Sequence, residues 1–365
     1  MGMPPMATAV PEIIVMTKGK KDLYRTREGH NEPLRRGILS GKRKYITSRI
    51  AEVLLILTIF LFAGCLPQPH AASQSTPVVA QHQASQGIYE SCSPGDAICL
   101  QDLKAIAAAG FTVVVNYNQL YATAAQELTY ANEAHRLGLQ IIWGMSSSHF
   151  WNSASIQPEY KDLAATCACT TNTAFTEYVV NLVKKLPATW GYYIGDEVAA
   201  ENHAAFKAFA DRVKQADPTH PRLFVAGENA STMGSNVKPF ADTAEVIGAD
   251  IYPIGTSDPI SSVGKIASAL QSIADQNGTQ SAITLQAFSW GEYPKDTWVC
   301  PKFPSCAQFP TGEEMRLMRN LAVTNSKARL LLWYSYFDIT RSDNPTGHMN
   351  DLIKVIHSPV PERAG

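Results

Sequence analysis

Residues Thr189–Glu197 read TWGYYIGDE, an apolar and aromatic run that stops at Gly195-Asp196-Glu197 before a helical pattern resumes at Ala200. Such a run is a buried strand, and adjacent carboxylates at its C-terminal end are how a barrel mounts acids on a rigid support. The same rhythm extends in both directions. Upstream, apolar runs over Gly87–Ser91, Phe111–Tyr117 and Leu139–Met145 alternate with helical patterns over Asp96–Gly110, Thr123–Leu137 and Thr173–Leu186. Downstream, the runs Arg222–Gly227, Glu245–Tyr252, Ala282–Phe288 and Ala328–Tyr336 alternate with helical patterns over Ala200–Ala216, Ile260–Asn277, Gly312–Ser326 and His348–His357. Eight such runs in about 270 residues predict a single α/β domain, a (β/α)8 TIM barrel over residues 87–358. Runs that are apolar on both faces suit parallel strands covered by helices. An open doubly wound sheet would carry a glycine-rich dinucleotide loop after its first strand, and this chain has none.

Charge is distributed unevenly over the 365 residues. Residues 1–65 carry 11 Lys and Arg against 5 Asp and Glu, so the rest of a chain of net charge −1 is acidic. An acidic body argues against nucleic-acid binding, which needs a clustered basic surface. The basic head reads as targeting. Lys42, Arg43, Lys44 and Arg49 precede the apolar run Val53–Phe62, which ends in Phe62-Ala63-Gly64-Cys65. At about ten residues the run is short of the roughly 20 that span a bilayer, so it reads as a signal peptide. Its Ala-Gly-Cys ending resembles the lipobox of bacterial lipoproteins, with Phe62 where that motif usually has Leu. The resemblance implies lipidation at Cys65, a membrane anchor and residence on the extracytoplasmic side; the alternative is an ordinary signal peptide. Residues 66–86 are rich in Pro, Ser, Gln and Ala and read as a disordered tether, and 359–365 as a tail.

Six cysteines remain: Cys92, Cys99, Cys167, Cys169, Cys300 and Cys306. An even number in an exported chain reads as disulfides, and the spacing suggests local pairs (92–99, 167–169, 300–306) among 15 connectivities. A metal at Cys167-Ala-Cys169 lacks further ligands nearby, so no metal is expected.

Collected at the predicted strand ends are Glu90, Asn116, Tyr117, Trp143, Asp196, Glu197, Glu228, Asp250, Tyr252, Gln286, Trp333 and Tyr336, with His149, Trp151, Trp290 and Glu292 in the loops beyond. There is no His-Glu-x-x-His and no Gly-x-Ser-x-Gly, which disfavours zinc and serine hydrolases. Carboxylates beside Trp and Tyr suit glycoside cleavage. One acid protonates the leaving oxygen, another stabilises or attacks the oxocarbenium-like centre, and aromatic faces seat sugar rings. Bland alternatives stand beside these: Asp196 as a helix cap, Asp250 as a turn acceptor, Trp143 and Trp333 as core, and Asp338 and Asp343 as solvated loop charges.

The strand ending YYIGDE resembles the strand-four acid motif of clan A glycoside hydrolases, in which an acid/base Glu follows Asn or Asp. Ala216–Pro221 (ADPTHP) is similar to that clan's turn between helix four and strand five, and Trp333 to its sugar-platform Trp. The resemblance implies Glu197 as general acid/base. It departs at strand seven, where the clan has a nucleophilic Glu and this chain has Leu285-Gln286-Ala287-Phe288. The second carboxylate is then sought at Asp250, Glu228 or Glu292, with Asp250 preferred and Asp196 beside Glu197 as a modulator. The expectation is a monomeric, cofactor-free hydrolase of O-glycosidic bonds in an extracytoplasmic poly- or oligosaccharide. Its rivals are a non-catalytic glycan-binding barrel and a structural surface lipoprotein.

Overall fold

The computed structural model describes residues 84–293 and 304–361. Cys65, the signal segment, nearly all of the tether and Cys300 lie outside them. Eight strands, β1 (Ser85–Glu90), β2 (Val113–Asn116), β3 (Gln140–Gly144), β4 (Thr189–Asp196), β5 (Arg222–Gly227), β6 (Val246–Ile251), β7 (Gln280–Gln286) and β8 (Leu330–Tyr334), form a closed parallel barrel in sequence order. The barrel is closed by β8 against β1, with Ile88 opposite Trp333. β1 begins at Ser85, inside the stretch expected to be tether, because its backbone N–H finds the carbonyl of Arg329.

Strand alternation divides the side chains into two layers. Tyr89, Val113, Val115, Tyr193, Leu223, Val225, Leu332 and Tyr334 fill the barrel. Ile88, Val114, Ile141, Trp143, Tyr192, Phe224, Ile247 and Trp333 face the helices. Helices such as Ala124–Arg136 and Gly312–Asn325 start on capping boxes, Thr123 with Gln126 and Thr311 with Glu314, which satisfy orphan N–H groups reciprocally. Among the described residues no helix is long and apolar enough to cross a membrane.

Three local departures from the expected pattern shape the mouth. The β5–β6 connection has a 3-10 turn, Lys238–Phe240, in place of an α-helix. The loop after β3 carries short helices, His149–Asn152 and Lys161–Cys167. The last strand stops at Tyr334 rather than Tyr336, since Ser335 caps a short helix, Tyr336–Arg341, by accepting from the Asp338 N–H.

Disulfides join Cys92 to Cys99 and Cys167 to Cys169. Cys306 is also disulfide-bonded, and its expected partner Cys300 lies outside the described residues.

Candidate active site at the barrel mouth

The tip of β4 is where the site is made. Simple alternation would turn Asp196 outward with Ile194, but the β4–β5 ladder slips between Tyr193 and Gly195. The slip sets Asp196 opposite Val225, an inward-facing residue, and so re-aims the carboxylate into the barrel. There Tyr117 donates to Asp196 Oδ2 at 3.4 Å. Asp196 therefore closes the strand and caps no helix.

Glu197 follows with its N–H still in the ladder, bonded to Val225 O at 2.9 Å, but with φ of +50°. A non-glycine residue in the left-handed region is uncommon and costs free energy, and such residues cluster at functional sites. The turn swings the Glu197 side chain, which is solvent-exposed, across the end of β5. A Cβ on Gly227 would lie 2.7 Å from Glu197 Oε1, so glycine at that strand end makes room for this carboxylate.

From the far side of the mouth comes Asp250, an inward position on β6 that is 5% exposed. Its carbonyl accepts from the Glu228 N–H. Between Asp196 and Asp250 lies a tyrosine cluster. Tyr89 stacks on Tyr117 at 5.4 Å and meets Tyr193 edge-on at 5.9 Å, with Tyr334 tilted against Tyr89 at 5.3 Å. Tyr252, half-buried, leans on Tyr334 and on Phe288. Burial, reinforced by the charges of Asp250 and Asp196, raises the phenol pKa values of Tyr89, Tyr193 and Tyr252 well above normal. Burial and Asp196 do the same for Tyr117. These phenols stay protonated, and that of Tyr117 is already engaged by Asp196.

The expected residues therefore separate. Asp196, Glu197, Asp250, Tyr117 and Tyr252 converge on the mouth, joined at the rim by Trp290, which packs against Tyr252 and Phe288. Glu292 follows on the same 3-10 turn; burial and then Asp338 raise its pKa. His149 sits in the β3 loop with Nδ1 3.3 Å from Ser147 Oγ, and Trp151 packs edge-on against Phe206. Four others take structural places. Trp143 and Trp333 are fully buried in the helix-facing layer, with indole N–H groups on Thr189 Oγ1 and Gln86 Oε1. Tyr336 turns to Asp102. Glu228 accepts from the N–H groups of Gly234, Asn236 and Val237 and from the Thr232 hydroxyl, organising the connection that has no helix.

Gln286, in the position of the clan nucleophile, is fully buried and inward on β7. Its Oε1 accepts from the Ile254 N–H, and its Nε2 donates to the carbonyls of Ile254 and Phe288. With both ends of the amide engaged, the side chain pins the β6 loop to β7.

Sequence reasoning missed two contributors. The inward tyrosines 89, 193 and 334 were readable only as apolar strand residues, though their alternate spacing carried the signal. Asp338 is fully buried rather than solvated. Tyr293 donates to both of its oxygens at 2.9 and 2.8 Å, Ser335 donates to Oδ2, and Arg341 lies 2.7 Å away. This clamp ties the β7 loop to the helix after β8.

Glu90, by contrast, points away from the mouth, in phase with Ile88. Its Oε1 accepts from the Ser91 N–H, and burial drives its pKa to about 8. Glu90, Cys92 and Asp102 bring possible ligand atoms within 4.8 Å of one another, but the Cys92 sulfur is held in its disulfide with Cys99.

No family model and no curated protein matches this chain. Solved structures do. A proposed α-L-fucosidase from Bacteroides thetaiotaomicron aligns over 79% of this chain and 98% of its own, at 12% identity and TM-score 0.50. What the two share is the fold, a parallel eight-stranded barrel. A fungal β-1,4-galactanase aligns over 75% of this chain and 99% of its own, at 12% identity and TM-score 0.49. Against a β-galacturonidase from Eisenbergiella tayi, 68% of this chain matches 43% of that one, at 12% identity and TM-score 0.45.

Proposed function

We propose that this chain hydrolyses O-glycosidic bonds in an extracytoplasmic poly- or oligosaccharide, with Glu197 as general acid/base. What carries the reading is the end of β4, where a ladder slip turns Asp196 inward toward Asp250 and a left-handed turn lays Glu197 over Gly227. Glu197 gives its proton to the departing glycosidic oxygen as the anomeric C–O bond breaks. Asp250 stabilises or attacks the anomeric carbon. Water supplies the new C–O bond and returns a proton to Glu197. Asp196, accepting from Tyr117, stands beside Glu197 at the end of the strand. Tyr117, Tyr252 and Trp290 offer faces and polar edges to the sugar.

A screen of oligosaccharides for turnover, followed by Glu197→Gln and Asp250→Asn on whichever substrate is cleaved, tests the reading. Full activity in Glu197→Gln would remove the assignment.

A second reading, glycan binding without cleavage, is favoured by Gln286, whose amide is committed to the Ile254 backbone. Saturable binding across the same panel with no turnover would select it. The lipobox-like ending supports anchoring through Cys65, with the barrel acting as a monomer on the extracytoplasmic side. Mass spectrometry of the membrane fraction should show a lipid-modified Cys65, and Cys65→Ala should release the protein from membranes.

A further inference from the structure

The two disulfides differ in character. Cys92–Cys99 is a staple: Cys99 is fully buried, Cys92 nearly so, and the Asn116 amide nitrogen lies 3.5 and 3.6 Å from their sulfurs. Cys167–Cys169 has a sequence separation of 2, against 7 in the other, and encloses Ala168 alone. A ring that small restrains the unfolded chain little, so the bond adds little to stability. Both of its cysteines are half-buried, packed on one side against the hydrophobic core. Their neighbours Ala165, Thr166, Ala168, Thr170 and Thr171 are exposed, small and uncharged, which leaves the bond open to a thiolate from outside. The turn also suits the reduced form. Cys167 ends the helix Lys161–Cys167, and its sulfur lies 3.2 Å from the Ala164 carbonyl oxygen. A disulfide sulfur has no proton to give, whereas a thiol at that place donates to the carbonyl with no change of backbone. The turn itself is held by main-chain bonds, from the Cys169 N–H to Ala164 O at 3.2 Å and from the Ala168 N–H to Ala165 O at 3.3 Å.

We propose that Cys167–Cys169 is a thiol–disulfide exchange centre whose partner is a dithiol, an activity separate from the glycan reading above. A partner thiolate attacks Cys169 Sγ. A mixed disulfide forms to the partner as the Cys167–Cys169 bond breaks, and Cys167 leaves as a thiolate that takes a proton from water and donates it to Ala164 O. The partner's second thiolate then attacks the partner sulfur of the mixed disulfide, that bond breaks, and Cys169 leaves as a thiolate. The partner gives up an electron pair and becomes a disulfide, while Cys167 and Cys169 become a dithiol. Run backwards, the same steps pass the electron pair to a partner disulfide. Cys92–Cys99, enclosed by the core and by Asn116, takes no part and keeps the loop after β1 in place.

Graded dithiothreitol, followed by acid quench, alkylation and peptide mass spectrometry, reads each pair separately on the full-length chain in non-ionic micelles. Cys167 and Cys169 should become alkylated at dithiothreitol concentrations about tenfold or more below those that expose Cys92 and Cys99, while thermal melting stays cooperative. In a second arm, the native chain should speed exchange between dithiothreitol and a disulfide-linked peptide about tenfold or more over the uncatalysed reaction. The double variant Cys167→Ser, Cys169→Ser should return that rate to background. Reduction of both pairs together, or of Cys167–Cys169 only as the barrel unfolds, would overturn the proposal. So would a native rate no higher than background, or one that survives the double substitution.

Discussion

Glu197 and Gly227 form a pair whose meaning lies in 2.7 Å. In Gly227→Ala the added methyl meets the far end of a flexible side chain, so the fold should adapt cheaply while the Glu197 carboxylate is displaced. We expect turnover to fall about tenfold or more with little change in melting temperature, measured on the same preparation. Glu197→Gln removes the proton donor itself and should cost on the order of 10²–10⁴ in kcat. Glu90 gives a stability prediction of opposite character. Burial raises its pKa from 4.5 to about 8, so the folded state holds a proton that the unfolded chain loses above pH 4.5. Stability from this group is complete below pH 4.5 and declines as pH rises toward 8, by up to roughly 1.4 kcal/mol per pH unit. Glu90→Gln should therefore flatten that decline and raise the melting temperature at pH 7.5, while leaving it little changed at pH 4. An unchanged pH profile would refute the buried, protonated Glu90.

At the scale of elements, the β7 loop is held by one buried acid. Tyr293 on that loop and Ser335 and Arg341 on the segment after β8 all converge on Asp338. Tyr293→Phe keeps the ring and removes the donor, leaving Asp338 short of a partner. The cost should be about 1–3 kcal/mol, visible as earlier denaturant unfolding. Because Trp290 lies on the same 3-10 turn as Glu292, next to Tyr293, affinity for any saccharide should fall together with local protection of residues 287–293 in hydrogen exchange. Gln286 and Glu228 act likewise, spending their polar atoms on the loops after β6 and β5. None of these roles is visible in a strand pattern, since each depends on a loop folding back to meet a buried group.

At the scale of the whole molecule, the barrel closes twice. β8 pairs with β1, and the buried Arg319 reaches the carbonyls of Val355, Ser358 and Pro359 at the end of the last helix. Arg319→Met preserves apolar bulk but removes the guanidinium from the Ser358 and Pro359 carbonyls, leaving Val355 O with its bonds from Ser358 alone. Thermal unfolding should reveal a loss of about 1–3 kcal/mol.

The number of strands, their order and their limits to within two residues were legible in the sequence, because parallel strands under helices need continuous apolar runs and helices need a 3.6-residue stripe. Two of the three cysteine pairings expected from local spacing were legible for a related reason, since short loops bring their ends together regardless of the rest of the fold. The direction in which side chains point was not legible. Trp143 and Trp333, expected at the mouth, lie with the helices, while Tyr89 and Tyr334, read only as strand, line the barrel. Inward and outward faces of such strands are both apolar, so composition does not separate them. The slip between Tyr193 and Gly195, which turns Asp196 inward, comes from how β4 pairs with β5. A strand's own residues specify that it is a strand; which of its carboxylates meet across the barrel is settled by its neighbours, and only the closed structure supplies them.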